Sequence, residues 1–289
     1  MSAPIPQRLA FRAAVLRAVR AWFDEAGFVE VTTPVRIPCP ANEEHIDAIP
    51  SGDRWLRTSP ELHMKRLLAG GAERIWQIGP CFRAGETGPL HREEFTMLEW
   101  YRAPGDAEAV WKDTRSLIRS LPEGPGTEPA GLRRQPETLT VREAFLRFAG
   151  WDPVAAFDPD RFDLDLADRV EPALPRDRPV VLTRYPAARA ALARRAADNP
   201  AEAERWELYL AGVEIANAYT ELTDPAEQRE RFEAAARFRA SQGREAYPLD
   251  EPFLAALEHG LPPCGGIALG LDRLMMVVAG ETTLDDPLD

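Results

Sequence analysis

The sequence predicts an α+β fold, an antiparallel β-sheet flanked by helices, and three observations carry that prediction. Strand-like runs are separated mostly by turns and irregular excursions and not by regular crossover helices, which argues against a doubly wound sheet. Residues 75–82 and 95–101 are both rich in apolar and β-favouring side chains, and Gly85, Gly88 and Pro89 punctuate the stretch between them, the pattern of a long-looped hairpin. Near its end the chain carries Gly265, Gly266 and Gly270 in a strand that turns directly into the apolar run Leu271, Leu274, Met275, Met276, Val277 and Val278.

In residues 7–26 the apolar positions Leu9, Ala13, Leu16, Val19 and Phe23 recur at three and four, with arginines between them and Gly27 as the stop. The expectation is an amphipathic helix. Residues 28–31 read as a strand stopped by Pro34, and Trp55 to Thr58 as another. A helix over 59–70 is expected with Ser59 as N-cap and Pro60 in its first turn. Beyond the hairpin, 106–121 is helical and 122–136 is a Pro/Gly/Glu excursion; Thr140 and Glu143 form a capping box for the next helix. Residues 152–179 are acidic, broken by prolines and without a readable period. Residues 180–183 form a strand, 206–218 a longer one, and Asp224 with Pro225 starts a charged helix ending near Gly243. A short helix over 250–258 is closed by Gly260. No internal repeat is present, and residues 1–289 read as one domain with 122–136 as a loop within it.

Composition bounds the function. The 289 residues are 45% apolar, ample for a packed core, and no run is long enough to span a membrane. Residues 1–8 lack the apolar segment of a signal peptide, so a cytoplasmic protein is expected, with no membrane partner. Cys39, Cys81 and Cys264 lie far apart and form no CxxC, which argues against a disulfide framework and a zinc site. A net charge of −12 disfavours sequence-independent nucleic-acid binding. No Walker A, GxGxxG, HExxH or GxSxG motif is present, so bound ATP would need another cradle.

Two stretches concentrate polar chemistry. In the second hairpin strand the period of two puts Phe95, Met97, Glu99 and Tyr101 on one face, with Arg83 at the hairpin lip. A bidentate cation near a carboxylate and a phenol suits a phosphate beside an ammonium group; a surface hairpin with scattered charges is the alternative. Arg273, adjoining Gly270, is a second candidate phosphate ligand, and His91 in the hairpin loop could meet a phosphate. In residues 213–222, Glu214 and Glu221 flank Asn217 in apolar surroundings, a set suited to Mg²⁺ held by few protein oxygens plus ATP phosphates. A plain strand puts those two acids on opposite faces, so shared ligation needs a bulge.

These residues resemble the class II aminoacyl-tRNA synthetases. The hairpin from Phe82 and Arg83 to Arg102 is similar to their motif 2, residues 266–274 to motif 3, and the opening helix ending near Pro34 to motif 1. Thr58-Ser59-Pro60-Glu61, 95–101 and 214–222 resemble the lysyl group. Motif 1 starts within the first residues, so no anticodon-binding barrel is expected; the resemblance is to stand-alone paralogs that ligate (R)-β-lysine to a lysine of translation elongation factor P. It implies ATP as co-substrate, Mg²⁺, an acyl-adenylate, lysine or β-lysine as substrate, elongation factor P and not tRNA as acceptor, and a homodimer.

The roles implied follow residue by residue. Arg83 holds the carboxylate and the α-phosphate, and Arg273 the γ-phosphate, as the catalytic pair. Ser59, Glu61, Tyr101, Asn217, Glu221 and Ala268 bind the amino acid. Arg83, Gly85, His91, Glu99, Glu214, Ile215, Gly270 and Arg273 bind ATP, and Glu214 and Glu221 hold the metal or the substrate amine. Lysyl-tRNA synthetases usually have glycine at the Ala268 position; the extra methyl favours a β-amino isomer, by about 1–3 kcal/mol. The chain departs from the family's His-Asn-Pro-Glu, having His91, Arg92, Glu93 and Glu94 instead. Asn217 to Glu221 read more like the tRNA-charging enzymes. Two rivals stay open: an α-lysine enzyme charging tRNA or another carrier, and a catalytically silent regulator.

Overall fold

The structure, a computed structural model, describes residues 4–124 and 131–284; residues 125–130 of the expected 122–136 excursion lie outside the described residues. In chain order, helix α1 (Ile5–Glu25) leads to β1 (Val29–Glu30), a small sheet of β2 (Arg36–Ile37), β3 (Pro50–Ser51) and β4 (Arg54–Leu56), then α2 (Glu61–Ala69) and the hairpin β5 (Arg74–Phe82) and β6 (Glu94–Arg102). After α3 (Ala107–Ser120) come β7 (Glu137–Thr140), α4 (Val141–Phe148), α5 (Pro159–Asp165) and β8 (Val180–Pro186). The chain continues through β9 (Glu202–Leu210), β10 (Val213–Thr220), α6 (Pro225–Ser241), α7 (Glu251–Gly260), β11 (Gly265–Gly270) and α8 (Leu271–Val278).

The main sheet has the order β1-β5-β6-β11-β10-β9-β8-β7. It is antiparallel in its six central strands and parallel only where β1 joins β5 and β7 joins β8. The fold is α+β. No helix among the described residues is long and apolar enough to cross a membrane.

Side-chain alternation divides this sheet into two faces. Trp76, Leu98, Trp100, Ile267, Leu269, Ala216 and Ala218 pack with α1, α3 and α8 in the principal core. Phe23 of α1 stacks on Trp76 at 4.5 Å between ring centroids and meets Trp100 edge-on at 5.4 Å. Each such burial stabilises by about 1.5–3 kcal/mol, which fixes α1 against the sheet. The alternate residues, Met97, Glu99, Tyr101, Gly266, Ala268, Asn217 and Tyr219, are left to face a cleft on the opposite side.

Several local expectations are corrected. The stripe on α1 begins later than read: Val15, Val19 and Phe23 are buried, whereas Leu9 is 51% exposed. Helix α2 has Pro60 and not Ser59 at its N-cap; the Ser59 hydroxyl still accepts the Glu61 N–H at 3.0 Å. The long strand expected over 206–218 is two strands, β9 and β10, joined by Ala211 and Gly212, both left-handed at φ 51° and 81°. In residues 152–179, the Asp158 carboxylate accepts the Arg161 N–H at 3.0 Å and caps α5. The Thr140–Glu143 capping box is present in both directions, at 3.0 and 2.8 Å.

Candidate active site

Backbone register across the sheet builds the floor of the cleft. One row reads Glu99, Ala268, Asn217 and Glu207 on neighbouring strands; the next reads Tyr101, Gly266, Tyr219 and Arg205. Gly266 lies between two tyrosines because nothing larger fits: a Cβ there would collide with the Tyr101 ring and with Glu221 Oε1. The resulting cleft encloses about 330 Å³. That suits a small polar substrate.

One end of the cleft is a buried acid cluster. The Tyr101 hydroxyl donates to Glu99 Oε1 at 2.7 Å and the Ser59 hydroxyl to Oε2 at 2.9 Å. Glu99 is 1% exposed, and burial, reinforced by Glu61, pushes its carboxyl up to about 8 against those two hydrogen bonds. Lys65 of α2, also 1% exposed, lies 2.5 Å from Glu61 Oε1 and 2.5 Å from Glu221 Oε2. Burial disfavours its charge, but the Glu221 and Glu61 carboxylates outweigh burial and raise it. Glu221 is nevertheless pushed up to about 8, by burial first and against Lys65. Its Oε1 is buried with no hydrogen-bond partner, so it is an acceptor held ready for a donor.

The other end is cationic. Arg83 lies with its guanidinium 5.2 Å from the centre of the Phe95 ring and only loosely paired with Glu86, at 3.6 Å. Its Nε is buried and unpartnered. Arg273 of α8 donates to the Leu90 carbonyl at 2.9 Å and lies 3.3 Å from Glu214 Oε2. An orphan acceptor at Glu221 and an orphan donor at Arg83 thus line one cleft, complementary to an ammonium and to a carboxylate or phosphate respectively.

Of the residues singled out in the sequence, Ser59, Glu61, Arg83, His91, Glu99, Tyr101, Glu214, Ile215, Asn217, Glu221, Ala268, Gly270 and Arg273 all line this cleft. Gly85 does not. Its N–H is taken by Glu93 Oε1 at 2.7 Å, and Glu93 stands where the family pattern has proline. The shared metal site on Glu214 and Glu221 also requires correction. A register shift between Glu214 and Ala216 supplies the bulge and brings Glu214 onto the face of Asn217. Seven residues of strand still separate the two acids by roughly 20 Å, whereas Mg²⁺ holds its oxygens at about 2.1 Å. Glu221 is moreover committed to Lys65. Glu214, half-exposed and facing the cleft, fits an ion carried mainly by phosphates; no cluster of three or more potential ligands exists among the described residues.

Three site residues escaped the sequence reading. Lys65 carries a signal in hindsight, since it is one of two lysines in the chain and follows Glu61 by four positions. Arg205 was hidden by the misread strand; it holds Asn217 Oδ1 at 3.2 Å, the Arg189 carbonyl at 2.6 Å and Glu207 Oε1 at 2.5 Å. Glu43 lies in an irregular loop with no periodic signal.

The chain belongs to the tRNA synthetases class II (D, K and N), a family it matches over residues 2–287. This agrees with the resemblance drawn from the three motifs. Among curated proteins it is similar to the elongation factor P–(R)-β-lysine ligases of Hamiltonella defensa subsp. Acyrthosiphon pisum and Edwardsiella ictaluri, each 38% identical over 99% of this chain and 94% of the relative. The ligase of the same name from Proteus mirabilis is 36% identical over 95% of this chain and 92% of its own length.

Proposed function

We propose that the protein is an ATP-dependent ligase that activates a lysine isomer, (R)-β-lysine, as its acyl-adenylate and transfers it to a lysine of elongation factor P. The observation that carries this reading is the pairing within one cleft of the unpartnered Glu221 oxygen and the unpartnered Arg83 Nε, which together suit a molecule with an ammonium at one end and a carboxylate at the other. The names of the similar proteins supply the isomer and the acceptor.

In this reading the substrate carboxylate attacks the α-phosphate of ATP, pyrophosphate leaves, and the acceptor amine then displaces AMP. Arg83 bridges carboxylate and α-phosphate, so that two anions approach without repulsion. Arg273, freed from Glu214 by the incoming phosphates, takes the γ-phosphate. Glu214 would hold Mg²⁺, which when bound would supply further charge neutralisation. Glu61 and Glu221, positioned by Lys65, fix the distal ammonium, with Tyr101 and Asn217 as walls. The Ala268 methyl, between Glu99 and Asn217, narrows the floor where α and β isomers differ. No protein nucleophile is needed.

ATP–pyrophosphate exchange tests the reading. It is expected with (R)-β-lysine in preference to α-lysine and (S)-β-lysine, and it should be lost in Arg83→Ala. Exchange only with α-lysine would reassign the substrate, and no exchange with any isomer would leave the silent regulator as the better reading.

A further inference from the structure

A lysine isomer brings one carboxylate and two ammonium groups, and the proposed function assigns the clustered acids around Lys65 to the distal one. The second ammonium sits one carbon from the carboxyl carbon in α-lysine and two in β-lysine. It therefore falls beside Arg83 and needs a counter-charge there. Most acids in that region are already engaged. Glu86 is the partner of Arg83, Glu93 holds the Gly85 N–H, and Glu99 takes the Tyr101 and Ser59 hydroxyls. Glu44 pairs with Arg189 at 3.0 Å, and Asp47 receives Arg239 at 2.7 Å and Arg244 at 2.8 Å.

Glu43 is different. It lines the cleft, half-buried, and its carboxylate makes no ion pair or hydrogen bond among the described residues. Its backbone is nonetheless held firmly. The fully buried Arg239 donates to the carbonyls of Glu43 and Ile46 at 2.8 and 2.7 Å, and Asn42 and Tyr247 exchange two hydrogen bonds at 2.9 and 3.0 Å. A rigid loop thus presents one uncommitted carboxyl to the cleft. Burial pushes it up to about 7; of the charges acting on it, Arg83 is the strongest, followed by Glu61 and Arg205. It lines the same cleft as Arg83, Glu61 and Arg205.

We infer that Glu43 is a specificity-determining residue of the amino-acid pocket, binding the substrate ammonium nearest the reacting carboxylate. This deepens the proposed function and rests on it. Because the loop is fixed, the reach of Glu43 discriminates an ammonium one carbon from the carboxyl from one placed two carbons away. Glu43 and the Ala268 methyl then read the same feature from two sides of the cleft.

The test compares ligands that differ only in that ammonium. Glu43→Gln and the wild-type protein are assayed by ATP–pyrophosphate exchange with the preferred lysine isomer, and 6-aminohexanoate, which keeps the carboxylate and the distal ammonium alone, is titrated as a competitor. Loss of a charged hydrogen-bonded pair should raise KM for the lysine isomer about tenfold or more in the variant, while the inhibition constant of 6-aminohexanoate stays within about threefold. A parallel weakening of both ligands would show a merely structural role, and an unchanged KM would show no role; either overturns the inference. Failure of the wild-type protein to exchange with any lysine isomer is a different result, visible before the variant is made, and it removes the proposed function itself.

Discussion

Replacing Lys65 by methionine keeps the apolar stem of the side chain but leaves Glu61 and Glu221 without the ammonium that lies 2.5 Å from each. Lys65 and Glu221 are both 1% exposed, so solvent cannot take over the lost role. Breaking a buried pair from one side costs about 3–5 kcal/mol. For a chain of this size that corresponds to a fall in Tm of roughly 10 °C. The functional consequence is separate. Burial already pushes Glu221 up to about 8 with Lys65 in place, and removing the lysine drives it higher, so the charged fraction at pH 7.5 falls further. Affinity for the substrate ammonium should therefore fall, with KM rising about tenfold or more at pH 7.5 and recovering in part by pH 9. Differential scanning calorimetry and exchange kinetics read the two effects. A Tm within about 2 °C of wild type and an unchanged KM would refute the view that Lys65 sets the charge of this pocket.

Two other predictions concern the same floor. Glu99 and Glu221 have carboxyls raised by burial to about 8 in the folded chain, so between about pH 5 and 8 the folded state binds more protons than the unfolded one. Their contribution to stability is therefore greatest near pH 5 and is lost as pH rises through 8, and Glu99→Gln should flatten the slope seen in urea unfolding; a contribution that grows with pH would contradict the assignment. Gly266→Ala should destabilise by about 1–3 kcal/mol through collision with Tyr101 and Glu221, whereas Gly270→Ala, whose new methyl meets Arg273 at an ordinary 3.7 Å, should unfold at the wild-type urea concentration.

What could be read in the sequence divides along physical lines. The hairpin strands show their faces because alternation is a local property: Glu99 and Tyr101 face the cleft, and Leu98 and Trp100 the core. Capping at Thr140 and Glu143 is likewise local, as it lies within four residues. The β9–β10 turn was missed because Ala211 adopts a left-handed conformation that costs an L-residue about 1–2 kcal/mol, a strain that tertiary pairing offsets and no motif announces. Lys65 was passed over for a related reason. Glu61 and Lys65 at a spacing of four look like an ordinary exposed helix pair, and only the approach of Glu221, 156 residues later, makes that lysine a buried one. The metal set failed on distance and not on residue type. A bulge at Ile215 answered the question of faces but left two acids at opposite ends of the cleft.

The central claim is that this cleft adenylates a lysine isomer for delivery to a protein. Incubating the protein with ATP, Mg²⁺, elongation factor P, tRNA and each isomer in turn, weighing the factor by mass spectrometry and following tRNA charging on acid gels, tests it most directly. The account predicts a mass gain of one lysyl residue on a single lysine of the factor with (R)-β-lysine, dependent on ATP and absent in Arg83→Ala. An unmodified factor beside a tRNA that becomes charged in the same mixture would contradict it.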